Sequence, residues 1–174
     1  MNWPPGRWIT WLLCAALIVL GADASWAAVV YVPEITGTSG ESVDIPIMID
    51  RVDNLAGVKL VMEYDPKILS FQKGARTRHT DCFMHVINDR KPGRLIIVMA
   101  GAKGITGKAF PILTLTFSVQ KGLTKNMTTQ PALSEMELMT DQLKNITCDI
   151  KIHPLKISPH RKQPLIHEEV LQGE

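Results

Sequence analysis

The residues whose types and spacing could bind a metal are His79, Cys82 and His85, which recur at intervals of three. Imidazole nitrogen and thiolate sulfur are typical zinc ligands. If residues 81–87 form a strand, however, Cys82 and His85 point to opposite faces, because side chains alternate along a strand. No fourth ligand follows from the spacing. The sequence therefore predicts no metal site and no cofactor.

A pair of carboxylates is the second candidate for chemistry. Glu63 and Asp65 are two residues apart and share one strand face, as paired acid and base groups would. Asp65 is more simply explained as the residue that starts a turn before Pro66. The chain contains no Gly-x-Ser-x-Gly elbow, no His-Glu-x-x-His, no phosphate-binding loop and no dinucleotide fingerprint. We therefore expect a protein that is not an enzyme.

The beginning of the chain predicts export. Residues 1–7 carry one positive charge, residues 8–20 are almost entirely apolar, and the small residues Ser25 and Ala27 are suited to signal peptidase. The apolar run is too short to span a bilayer, so we interpret residues 1–27 as a signal peptide. The mature chain is expected to begin at about Ala28, to be secreted to an extracellular or periplasmic location, and to have no membrane anchor.

Removal of that segment changes the composition and leaves two cysteines. All four tryptophans belong to it: Trp3, Trp8, Trp11 and Trp26. The net charge of +2 is too small to predict binding to nucleic acid or to an anionic membrane. Cys82 and Cys148 remain, and an exported protein permits a disulfide between them. The alternative is two separate buried thiols that pack as small apolar residues.

Alternation of apolar and polar residues predicts strands throughout residues 28–157, which are long enough for one domain with its own core. The positions predicted to face inward are Val43, Ile45, Ile47, Ile49, Val58, Leu60, Met62, Tyr64, Leu113, Leu115, Phe117, Val119, Ile146, Cys148, Ile150 and Ile152. Ile112 is predicted to face outward. Turns rich in glycine and proline separate the runs, and no helical period is long enough for a substantial helix. This pattern predicts an all-β, two-layer sandwich, followed by a polar, disordered tail at 158–174.

The order of three motifs resembles the cohesin family. The run Gly-Glu-Ser-Val-Asp-Ile-Pro-Ile at 40–47 is similar to the opening strand of cohesin modules. Residues 62–69, Met-Glu-Tyr-Asp-Pro-Lys-Ile-Leu, resemble their "Y-D-P-x-x-L" turn, and residues 100–119 resemble their glycine-bearing loop and the long strand after it. The resemblance covers about residues 29–157.

The resemblance implies a nine-stranded jelly-roll sandwich that recognises another protein. Cohesins bind dockerins, small helical modules that carry calcium, and so assemble extracellular polysaccharide-degrading complexes. Any calcium is therefore expected on the partner. One sheet face is the contact surface in the family, and the positions that match its strands are the expected partner-binding residues of this chain: Gly57, Lys59, Val61, Glu63, Ile96 and Val98.

Two departures from the family keep other hypotheses open. Cohesins often have Asn or Asp where this chain has Gly57 and Lys59, which leaves open a partner other than a standard dockerin. One alternative is direct carbohydrate binding, which is less expected because Tyr64 and Phe117 are assigned to the core and few rings remain for stacking. The other alternative is a subunit of a cell-surface or secretion assembly that uses the same face.

Overall fold

The computed structural model describes residues 27–159, and every regular element in that range is a β-strand. The predicted signal peptide therefore lies outside the described residues except for Ala27, and most of the predicted tail lies outside them as well. The strands are β1 (Ala28–Val32), β2 (Ile35–Thr38), β3 (Ser42–Glu63), β4 (Leu69–Arg76), β5 (Met84–Lys91), β6 (Arg94–Val119), β7 (Met127–Thr129), β8 (Ala132–Thr140), β9 (Asn145–Ile146), β10 (Cys148–Ile152) and β11 (Leu155–Ser158). No helix of the described part is long and apolar enough to cross a membrane.

Two long strands, β3 and β6, organise the fold. They pair with each other in antiparallel register from Ser42 opposite Ser118 to Glu63 opposite Arg94. The first half of β3 also pairs with β1, whereas the second half pairs with β8. Shifts in register occur between Val52 and Gly57, and such irregularities allow a strand to pass from one layer to the other.

The change of partners divides the strands into two layers. One layer has the order β10–β1–β3–β6–β4, and the other has the order β8–β3–β6–β5, with β3 and β6 running through both. Strands β2, β11 and β7 form a separate small sheet. The all-β prediction and the jelly-roll sandwich are confirmed.

The inward side chains of both layers form one hydrophobic core. Every predicted inward position of β3 and β6 is buried except Tyr64, which follows β3 and is half-buried against the core. The ring of Phe117 lies at the centre of an aromatic group, with its centroid 5.0 Å from that of Tyr64 and 5.6 Å from that of Phe71. Burying a side chain of this size stabilises the fold by about 1.5–3 kcal/mol. Alternation therefore predicted the core correctly along the two longest strands.

Ile112 is an exception to the predicted alternation. It was expected to face outward, but it is fully buried. The ladder places Ile47 opposite Leu113 and Met48 opposite Pro111, so Ile112 is an extra residue in a β-bulge. A bulge shifts the alternation by one residue, which allows both Ile112 and Leu113 to be buried.

The strand count and the last apolar run also differ from the prediction. The described residues contain eleven strands rather than nine. The run from Ile146 to Ile152 is interrupted at Thr147, which separates β9 from β10. Ile146, Cys148 and Ile152 pack against the core, but Ile150 is exposed. Short ladders such as β9 contain too few residues for a pattern in the sequence to reveal them.

The cysteines match neither alternative in full. Cys82 and Cys148 are both free in the structure, which does not contain the disulfide considered as one alternative. Cys82 is exposed in the turn before β5, whereas Cys148 is half-buried at the start of β10, beside Ala28 of β1. Strands β5 and β10 belong to different layers, with β6, β3 and β1 between them in the ladder. The prediction of buried thiols is thus wrong for Cys82.

Candidate functional site

The hairpin of β5 and β6 sets the position of one outward surface. Its turn contains Gly93 at φ 88°, a conformation that glycine adopts without steric cost. The register shifts between Asn88 and Lys91 and then places Val86 opposite Val98 and Met84 opposite Ala100. Val98 and Ala100 alternate with the buried Ile97 and Met99 of β6 and point away from the core, and so do their neighbours on β5.

This surface is unusually apolar for the outside of a protein. The exposed fractions are 78% for Met84, 68% for Val86 and 46% for Val98. Ala100 is exposed beside them, and Ile96 is half-buried. We call the outward side chains of residues 84–88, 94–100, 57–63 and 132–139 the apolar face. A contiguous group of exposed apolar side chains is typical of an interaction surface.

Two basic residues of the apolar face, Lys59 and Arg94, are already paired with acidic residues of β8. The Nζ of Lys59 on β3 donates to Oε1 of Glu137 on β8 at 2.7 Å. This hydrogen bond and the attraction between the two charges raise the pKa of Lys59. The Nη2 of Arg94 donates to Oε1 of Glu135 at 3.0 Å. The apolar face therefore presents two neutralised ion pairs, Lys59–Glu137 and Arg94–Glu135, to solvent beside its apolar side chains.

The six predicted partner-binding residues all lie on the outward side of this one layer. Gly57, Lys59 and Ile96 are partly exposed, and Glu63 is exposed. Their cross-strand neighbours are Ala100, Val98, Val61 and Arg94, respectively, which brings the two predicted strands side by side. The structure therefore brings these residues onto one surface.

Val61 does not meet the prediction, because it is fully buried and cannot contact a partner directly. It lies between Ile96 of β6 and Ser134 of β8, although it is not part of the main core. The register of β8 shifts between its pairings with Lys59 and Val61, which leaves Glu135 as part of a β-bulge at φ 49°. Whether an outward side chain is exposed or buried depends on such irregularities in the neighbouring strand. The alternation of apolar and polar residues does not predict them.

The most exposed apolar residues of the face, Met84 and Val86, were missed by the sequence analysis. In the run Met-His-Val-Ile at 84–87, apolar residues occur at both even-numbered and odd-numbered positions. Alternation alone therefore does not show which set points outward. The turn at 91–93 does not supply the missing information. Counting back from the pair Lys91 and Arg94 in regular antiparallel register would place Val86 opposite Met99, whereas a register shift between Asn88 and Lys91 places it opposite Val98.

The residues considered for metal binding or acid–base chemistry have other roles. The ring of His79 packs on that of Phe110 with their centroids 4.6 Å apart, and His85 lies on β5 opposite Met99. Residues 27–159 contain no group of three or more potential ligands that could hold a metal. The Oδ1 of Asp65 accepts a hydrogen bond from the amide of Lys67 at 2.8 Å, as expected of a turn-forming residue.

Along β6, the outward surface of the second layer is polar. Its β6 positions are Thr114, Thr116 and Ser118, which alternate with buried residues and lie opposite Pro46, Asp44 and Ser42 of β3. The hydroxyl of Thr116 donates to Oδ1 of Asp44 at 2.6 Å. We call this surface, with Ser70 and Ala75 of β4 at its edge, the hydroxyl face.

Comparison with known proteins gives a single family. The chain matches the family model described as "Cohesin domain" over residues 28–152. No curated protein matches it significantly.

Solved structures with a similar fold are cohesins. A non-cellulosomal cohesin from Archaeoglobus fulgidus is 13% identical with a TM-score of 0.64, and the match covers 77% of this chain and 91% of that one. The sixth cohesin of Acetivibrio cellulolyticus scaffoldin B, solved in complex with a Cel5 dockerin, is 13% identical with a TM-score of 0.66, covering 77% and 99%. A type I cohesin–dockerin complex from Clostridium thermocellum is 17% identical with a TM-score of 0.63, covering 77% and 94%.

Proposed function

Because this chain belongs to the cohesin domain family, we propose that it is an exported, non-catalytic module that binds another protein through the apolar face. The observation that carries the proposal is the group of exposed side chains formed by Met84, Val86 and Val98. Leaving them in water costs free energy that a bound partner would recover, at about 25 cal/mol per Å² of apolar surface. A sheet face with an apolar centre and charged residues beside it has the composition of a protein interface.

A protein partner is favoured over a carbohydrate because the described residues lack exposed aromatic rings. Phe83, Phe110 and Phe117 are buried. Tyr31, Tyr64 and Phe71 are only partly exposed, and the last two pack against the core. A pyranose ring is usually held by stacking on an exposed aromatic side chain. The apolar face offers only aliphatic and thioether groups, which suit a protein surface better.

The proposed partner is a dockerin-type helical module, and any calcium would be held by that partner. Two of the similar solved structures are complexes of a cohesin with a dockerin. Lys59 stands where cohesins often have a polar uncharged or acidic residue, but its charge is neutralised by Glu137. Contacts with the partner would therefore be mainly apolar. A role in assembling polysaccharide-degrading enzymes is the corresponding biological proposal.

The test is capture of secreted proteins from the host by immobilised residues 28–159, in calcium and in chelator. The Val98→Asp variant places a charge at the centre of the apolar face and should weaken capture by about 100-fold or more, the scale of an interface hot spot. Ala75→Asp, at an exposed position on the hydroxyl face, is the matched control and should bind as the wild type does.

The identity of the captured protein then decides the finer proposal. A dockerin-bearing enzyme lost with chelator would support the dockerin-type partner. A calcium-independent envelope protein would instead assign the module to a cell-surface assembly. If Val98→Asp and Ala75→Asp capture the same proteins as the wild type, while circular dichroism shows both folded, the apolar face is not the binding surface.

A further inference from the structure

The apolar face contains a depression at its end near the hairpin of β8 and β9. Its volume is about 300 Å³. The residues that line it are Ala56, Gly57, Val58, Lys59, Val98, Met99, Ala100, Gly101, Ala102, Met139, Thr140, Asp141 and Leu143. This volume is at the lower end of the range for ligand pockets, so the depression suits a single side chain better than a whole small molecule.

Small residues make the depression, and large apolar residues border it. Gly57 lies between Ala100 and Met139 in the ladder, so two of the three outward positions in that row have little or no side chain. A Cβ atom added at Gly57 would be 3.3 Å from the Cβ of Met139, which is a tight contact. On the rim, Leu143 is 81% exposed although it has no polar group. The site is therefore open and apolar.

The two charged side chains of the lining are already engaged within the chain. Lys59 is paired with Glu137 at 2.7 Å. The Oδ1 of Asp141 accepts a hydrogen bond from Nδ2 of Asn54 at 2.7 Å. A charged group entering the depression would lose its water without gaining a free partner, which is costly. The occupant complementary to this lining is uncharged and aliphatic.

We propose that the depression receives one aliphatic side chain from a helix of the partner. The proposal rests on the proposed function and adds the chemistry that the partner must present. Neighbouring outward positions on one strand, such as Ala100 and Val98, are separated by about 6.8 Å. Four residues of an α-helix rise about 6 Å. A helix lying along the strands therefore places one residue between Gly57 and Ala100 and the residue four positions away at the Val98 edge of the depression.

The test uses a helical scaffold displayed on phage, with the four surface positions i, i+3, i+4 and i+7 randomised. Residues 28–159 are the target. Selected helices should carry Leu, Ile, Val or Met at one central position, and its replacement by Ala should weaken binding by about tenfold or more, the discrimination expected of an apolar pocket. Filling the depression with Ala100→Leu should weaken binding by a similar factor.

A matched substitution separates filling of the depression from a general effect of a larger side chain. Ala75→Leu makes the same change at an exposed position of β4 on the hydroxyl face, and should alter affinity less than twofold. Gly57→Ala adds a single methyl group to the floor and provides a second test if Ala100→Leu does not fold. Circular dichroism and thermal unfolding establish folding for each variant.

Several outcomes would overturn the proposal. Val86 lies on the apolar face outside the depression. Helices that bind Ala100→Leu and Gly57→Ala as well as they bind the wild type, but lose affinity to Val86→Asp, would support the apolar face as the binding surface and contradict a role for the depression. Selection of helices with a charged or polar residue at the central position would contradict an aliphatic occupant. So would selection of the same central residues by the wild type and by the Ala100→Leu variant. A concentration-dependent dimer of the isolated module, abolished by Ala100→Leu, would assign the depression to a second copy of the chain.

Discussion

The two outward faces of the sandwich are built from the same pair of strands but carry opposite chemistry. On the apolar face, the outward positions of β6 are Ile96, Val98 and Ala100, whereas on the hydroxyl face they are Thr114, Thr116 and Ser118. The backbone arrangement is the same in both places: β6 pairs with β3, and every second residue is buried. The difference therefore lies in the side chains alone.

The hydroxyl face shows what a solvated surface of this sheet requires. Thr and Ser favour strands and hydrogen-bond to water or to neighbours, as Thr116 does with Asp44. Folding does not require aliphatic residues at the corresponding positions of the apolar face, because the core is complete without them. The exposure of Met84, Val86 and Val98 is consistent with the proposed binding of a partner to the apolar face.

The largest expected effect tests how the apolar face is held in place. Phe83 is fully buried just before β5, and a Cβ atom at Gly101 would lie 2.5 Å from its ring. Phe83→Ala should lower the free energy of unfolding by about 3–5 kcal/mol, measured by urea titration, because it leaves a cavity in the core. Hydrogen exchange should rise most in β5, since Phe83 anchors the start of that strand.

Phe110→Ala is the control for this prediction. Phe110 is also buried, but it is paired with Ile49 in the layer of the hydroxyl face. A similar loss of stability is expected, with exchange rising near Phe110 rather than in β5. If the rate of hydrogen exchange in β5 is the same in Phe83→Ala and Phe110→Ala, the two layers of the sandwich unfold as one unit.

A smaller effect concerns the conformation of Leu143 on the rim of the apolar face. The turns at Gly40, Gly93 and Gly122 have φ between 82° and 88° and use glycine, but Leu143 adopts φ 59° with a full side chain. Leu143→Asn should raise the stability by about 1 kcal/mol, because asparagine tolerates the left-handed conformation better. Thermal and urea unfolding measure the change.

The matched substitution here is Leu143→Val. Its β-branched side chain is still less compatible with φ 59°, so a decrease in stability is expected. A gain in stability with Asn would indicate that Leu143 is retained on the apolar face at the expense of folding, as functional residues often are. Equal stability of the wild type, Leu143→Asn and Leu143→Val would contradict a cost of folding at Leu143.

The smallest effect distinguishes the two layers by thiol reactivity. Cys82 is exposed before β5, whereas Cys148 is half-buried on β10, where burial and the nearby charge of Asp149 raise its pKa. The thiolate is the reactive form, so Cys148 should react with iodoacetamide at pH 8 more slowly than Cys82, by about tenfold. Mass spectrometry of tryptic peptides measures both rates.

Residues 28–159, purified from an oxidising medium and then denatured, should also contain two titratable thiols per chain. A single titratable thiol would indicate modification of one cysteine. No titratable thiol together with a cross-linked peptide would restore the disulfide and require a different arrangement of the two layers. The variants Cys82→Ser and Cys148→Ser assign each signal to its residue.

Much of the fold was predictable because alternation is a local property. The inward residues of β3 are buried from Val43 to Met62 wherever the ladder is regular, and so are those of β6 from Leu113 to Val119. The prediction was wrong at Ile112, where a bulge interrupts the period. It was also wrong for Ile150, where a short edge strand does not bury its whole inward side.

Less of the candidate site could be predicted, because it depends on neighbours far away in the chain. Lys59 appeared as an isolated positive charge on a predicted strand, but its ion-pair partner Glu137 is 78 positions away. Val61 appeared as an exposed contact, but the bulge of β8 and the side chain of Ile96 leave it no access to solvent. Met84 and Val86 became identifiable as surface residues only through the register of their hairpin.

The sequence by itself determined the β-sandwich, its main core and the two strands of the candidate site, since these depend on the alternation of side chains along each strand. The resemblance to cohesins also depended on short motifs that the sequence contains. The tertiary structure decided which outward residues are accessible, which charges are neutralised and where the depression lies. Those properties arise from register and bulges between strands distant in the chain, here around residues 57, 100 and 139.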